Sequence, residues 1–87
     1  MKTVYKYEIP INDHFDLFLP TGARILKADV QRGVVCLWAL VDPSLADQRR
    51  SFRFAGTGHP MEEESLQHIS TFKMDGDNLI FHIFEIR

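Results

Sequence analysis

Short runs of alternating apolar and polar residues recur along the chain, separated by residues that favour turns. A period of two sends successive side chains to opposite faces of a strand, so each run predicts a β-strand. Val4 to Ile9 interleaves β-formers with polar residues, and Pro10 stops ladder donation. His14 to Leu19 sets Phe15, Leu17 and Leu19 against His14, Asp16 and Phe18. Phe18 therefore falls on the polar face, where it marks a candidate contact surface. Arg24 to Val30 sets Leu26, Ala28 and Val30 against Lys27 and Asp29. In Arg49 to Ala55, Phe52 and Phe54 oppose Ser51 and Arg53. His68 to Met74 is a further strand, and Leu79 to Ile86 closes the set, apolar on both faces except at His82 and Glu85.

Val34 to Val41 is apolar on both faces, which predicts a central strand covered on both sides. Turns are expected at Asn12-Asp13, Pro20-Thr21-Gly22, Gln31-Arg32-Gly33 and Asp75-Gly76-Asp77. Asp42 to Gln48 has no period and reads as a loop, or as a short helical turn capped by Asp42. Met61 to Gln67 could form a single helical turn, with three glutamates at its N-terminal end. About seven strands with close turn signals define an all-β domain spanning residues 1–87, with at most one short helical turn. The expected architecture is a small antiparallel β-sandwich or a partly open barrel.

At 87 residues the core is thin, yet seven Phe, two Tyr and one Trp are more than enough to fill it. Tyr5, Tyr7, Phe18 and one face of Phe81 to Ile86 look surplus to a single core. This surplus predicts a homo-oligomer or an exposed docking patch. A net charge of −2 argues against nucleic-acid binding. The one cysteine, Cys36, lies in an apolar run, so a buried, inert thiol in a reducing cytoplasm is expected. No leader-like or membrane-spanning apolar segment is seen, which predicts a soluble protein of the host cytoplasm.

Candidate chemistry is sparse. His14, His59, His68 and His82 show no metal-ligand spacing, so no metal site is assigned. Ser51, Ser65 and Ser70 sit in no nucleophile context, and no carboxylate pair is set to face a cleft. No enzyme and no cofactor are expected. What stands out is Gly56-Thr57-Gly58-His59-Pro60, directly after a strand and just downstream of Arg49, Arg50 and Arg53. It reads either as a tight turn closed by its own bonds or as a loop presenting N–H groups, a hydroxyl and an imidazole. In the second reading, Arg53 or Arg50 supplies charge for a phosphate or carboxylate. The candidate binding set is Phe18, Arg50, Arg53, Gly56, Thr57, Gly58 and His59.

Several segments resemble a family of small proteins encoded by bacteriophages and prophages, which carries a domain-of-unknown-function label. They are Lys2 to Tyr7, Pro20 to Leu26, Cys36-Leu37-Trp38-Ala39-Leu40-Val41-Asp42-Pro43, Gly56 to Pro60 and Phe81 to Glu85. The resemblance implies a phage setting and a compact domain, and it brings no catalytic residues. The expectation is a non-enzymatic binding module that acts on a host protein, such as a component of antiviral defence. The alternative is an oligomeric sponge for a small phosphorylated ligand of nucleotide type, with Tyr5 or Phe18 stacked on the base. A virion or assembly accessory is the third.

Overall fold

The alternation resolves into seven strands: β1 (Thr3–Glu8), β2 (His14–Pro20), β3 (Arg24–Gln31), β4 (Val34–Val41), β5 (Asp47–Gly56), β6 (Leu66–Met74) and β7 (Leu79–Ile86). The computed structural model describes residues 1–87 apart from Asp75 and Asp77. All pairings are antiparallel. They build one sheet in the order β1-β4-β3 and a second in the order β2-β5-β7-β6. No helix occurs among the described residues. The all-β sandwich expected from the sequence is what forms.

The core lies between the sheets. Phe15 is in register with Phe52 and stacks on it at 5.2 Å, while Phe54 opposes Ile83 and Phe72 opposes Phe81. The facing sheet contributes Val35, Leu37, Ala39 and Val41 from β4, all buried. Phe52, Leu19, Leu37 and Ile83 are among the fully enclosed side chains, each stabilising by about 1.5–3 kcal/mol relative to exposure. The molecule measures 40 × 32 × 16 Å, thick enough for two sheets about 10 Å apart and no third layer. Both outer sheet faces are therefore molecular surface.

The sheets meet along β3 and β6, where the Ala28 N–H donates to Ser70 Oγ at 2.8 Å. Each of these strands carries an irregularity. In β3 the register shifts between Ile25 and Lys27, and Leu26 becomes the extra residue, 46% exposed. A fixed period of two had put Leu26 in the core with Ala28, but one inserted residue reverses the parity. Ile25 takes the position opposite Ala39 instead. In β6 the shift lies between His68 and Ser70.

The loop reading of residues 42–48 holds as far as β5, which starts at Asp47, and two other expectations change. Asp42 to Gln48 holds no helical turn: Asp42 Oδ1 accepts from Ser44 N–H (3.0 Å) and Ser44 Oγ (2.7 Å), which makes a side-chain-closed turn. Met61 to Ser65 is likewise irregular, and β6 starts at Leu66. β4 is central in its sheet, but only Cys36 is buried on its outer face, where Trp38 and Leu40 are half-buried. The turn expected at Asp75-Gly76-Asp77 involves Asp75 and Asp77, which lie outside the described residues.

Candidate functional site

Residues Thr57 to Pro60 are exposed, yet the loop is closed by its own bonds. The His59 ring folds back so that Gly56 N–H donates to Nδ1 at 3.1 Å, and His59 N–H donates to Gly56 O at 3.1 Å. A Cβ on Gly56 would sit 3.0 Å from His59 Cε1, so this position needs a glycine for close approach. Gly58 has φ +89°, the left-handed geometry of the turn. Thr57 N–H and Oγ1 both donate to Ile80 O, at 3.3 and 3.4 Å. The N–H groups of Gly56, Thr57 and His59 are thus all engaged, leaving no row of free donors for an anion. Thr57 Oγ1 also lies 2.9 Å from His82 Nε2, whose Nδ1 is 2.9 Å from Thr71 Oγ1. His82 therefore has both nitrogens partnered.

Arg53 does not project into solvent. It is 5% exposed, and its guanidinium donates to the carbonyls of Asp13 (3.1 Å), Phe54 (2.7 Å) and Pro60 (3.0 Å). It fastens the β1–β2 connection and the segment after the loop onto its own strand. Its Nε lies 3.4 Å from Glu63 Oε1, and Glu63 is bonded in turn by His14 Nε2. The Glu63 carboxyl is held below its usual range by a backbone N–H bond within the residue, then by His14, against the cost of desolvation. A depression of about 420 Å³ lies here, lined by Arg53, Asp13, Glu62 and Glu63 along with His14 and His59. One cation among three carboxylates does not make a phosphate site.

The remaining candidates lie elsewhere. Arg50 sits three residues from Arg53 on the opposite face of β5, forked onto Glu85 through Nε (2.6 Å) and Nη2 (2.8 Å). Phe18 is 61% exposed on the outer face of β2, in register with Arg49. Arg49 and Gly56 are seven residues apart along β5, about 23 Å at the strand rise. Arg53, Gly56, Thr57, Gly58 and His59 thus gather at one end, whereas Phe18 and Arg49 mark the other. Beside β5 on that outer face, Phe84 meets the His68 ring edge-on at 5.4 Å, and Ile80, Ile86 and Leu66 are half-buried. The Phe18 surface is the exposed one.

Sequence reasoning missed the Arg50–Glu85 pair, although a signal was present. Arg50 has the parity of Phe52 and Phe54, and Glu85 that of Phe81 and Ile83, so two opposite charges were aimed at one core. Glu85 is 6% exposed, and the bonds from Arg50 hold its carboxyl below the usual range against desolvation. Arg87 Nη2 reaches the same carboxylate at 3.3 Å. Among the described residues, no group of three or more His, Cys, Asp or Glu is placed to hold a metal. No helix among the described residues is long and apolar enough to cross a membrane.

Fold and surface together define a small two-layer antiparallel β domain with an aromatic and basic outer edge. The chain belongs to the family described as Domain of unknown function (DUF7352), whose family model matches residues 1–87. No curated protein and no solved structure matches it.

Proposed function

We propose that the chain is a non-enzymatic, phage-encoded binding module that acts on a host protein, with inhibition of an antiviral defence component as the concrete case. The observation that carries this reading is Phe18, an aromatic side chain held in solvent on a rigid strand with Arg49 beside it. Leaving such a ring in water forgoes about 1.5–3 kcal/mol of burial, which a docked partner would recover. Aromatic residues and arginine are also the types that dominate interface energetics. The phage setting rests on the resemblance carried by Cys36 to Pro43 and Gly56 to Pro60.

A nucleotide sponge built on the loop and Arg53 draws no support, because their donors already face protein acceptors. The test is capture from host lysate, identification of the stoichiometric partner, and reconstitution with that partner purified. Phe18→Asp should weaken the reconstituted complex by about thirtyfold or more, the size of an interface hot spot. His59→Ala should leave it unchanged. An unchanged Kd for folded Phe18→Asp protein removes the proposed surface.

A further inference from the structure

Along the junction of β3 and β6, a cavity of about 510 Å³ opens between the Gly22–Leu26 and Gln67–Ile69 segments. Both register irregularities, at Leu26 and Ile69, fall on this side of the Ala28–Ser70 bond. Bulges bend strands and interrupt pairing, so two of them flanking one junction leave the strand edges parted. This is not the surface of Phe18, nor the loop of Gly56 to Pro60.

The charged lining is one-sided. Arg24, Arg50 and Arg87 line the cavity with Glu85 as the single acid, a side-chain balance of +2 (three minus one, with histidine neutral). The whole chain carries −2, yet half of its six arginines line this one cleft. Glu85 ties two of them together: Arg50 Nη2 and Arg87 Nη2 both donate to Oε1. One carboxylate neutralises one guanidinium, so positive charge remains. Donors remain as well, since a guanidinium has five N–H groups. Arg50 uses two on Glu85 and one on Ala23 O, and Arg87 uses one. The Arg24 side chain makes no hydrogen bond or ion pair with the described residues.

From this convergence we infer that the β3–β6 cleft is a binding site for a small oxyanion ligand, bearing phosphate or carboxylate groups. Arg24 and Arg87 are its principal contacts, and the Arg50–Glu85 pair is its fixed floor. Forked guanidinium donors suit both oxyanions, which offer pairs of oxygens at matching separation. The ion pair also explains itself better as a positioning device than as a source of stability, because buried pairs gain little over apolar replacements. The inference does not depend on protein binding at Phe18, and either can fail alone.

Two-dimensional 1H–15N NMR at constant ionic strength tests it, with sodium pyrophosphate as one probe and sodium citrate as the other. Saturable shifts are expected for the amides of Ala23 to Leu26 and Gln67 to Ile69. Tighter binding of pyrophosphate assigns a phosphate ligand; tighter binding of citrate assigns a carboxylate one. The Arg24→Ala/Arg87→Ala protein should bind about tenfold or more weakly, the loss expected for charge-assisted hydrogen bonds. Arg32→Ala, on the β3–β4 turn, should bind as the parent does. Absence of saturable shifts in the cleft with both probes overturns the assignment. Undiminished binding by the double variant overturns it too.

Discussion

Arg50 and Arg53 stand three residues apart on one strand, both withdrawn from solvent and both beside a glutamate, yet they do different work. Arg50 faces inward and meets Glu85 in a two-pronged pair at 2.6 and 2.8 Å. Arg53 faces the other way, and all three of its hydrogen bonds go to backbone carbonyls, with Glu63 at 3.4 Å. The first is a charge paired at the edge of the core, on the wall of the β3–β6 cleft. The second is a staple that happens to be charged, tying the Asp13 and Pro60 carbonyls to its own strand at Phe54. Parity along β5 decides which role each arginine takes, since odd and even positions face different surroundings.

The contrast can be broken most sharply at Glu85. Glu85→Ala leaves the Arg50 guanidinium enclosed without its counter-ion, a loss of about 3–5 kcal/mol. Urea denaturation followed by circular dichroism should show it, and a loss under about 1 kcal/mol would mean that Arg50 escapes to water. Arg53→Met comes next. It keeps the aliphatic volume but removes the side-chain donor from Phe54 O and Pro60 O, while Asp13 O keeps the Phe54 N–H, for a loss of roughly 2–3 kcal/mol. Amide exchange should speed up in residues 57–65 and stay slow in β7; uniform acceleration would make Arg53 a core residue and no staple.

The smallest effect is a pH dependence. Glu85 and Glu63 are both held below the ordinary glutamate range in the folded state. Their stabilisation is therefore complete above that range and fades as pH falls through their folded values. Denaturation midpoints measured from neutral to acid pH should decline on that limb. Glu85→Gln should flatten the decline more than Glu63→Gln does, because the Arg50 pair is the better enclosed. Equal slopes in all three proteins would remove the distinction between the two sites.

Much of the fold was legible because strand grammar is local. Phe15, Leu17 and Leu19 on one face and Phe52 and Phe54 on another needed only a period of two and a hydrophobic core. Leu26 was not legible. A bulge depends on how β3 pairs with β4, and alternation carries no record of an inserted residue. The candidate site was less readable still. Gly56 to Pro60 announces a tight turn, but whether its N–H groups face solvent or Ile80 depends on where β7 runs. Glu85 could have been read from its parity with Ile83, and only its partner needed the sheet order.

Residue types and spacing alone determined seven strands, a thin aromatic core and a solvent-facing Phe18, because each follows from side-chain alternation along one strand. Tertiary structure decided that Arg53 is enclosed, that the loop bonds to its own scaffold, and that Arg24, Arg50 and Arg87 share one cleft. Those outcomes join positions far apart in the chain, where contact is set by how the two sheets meet.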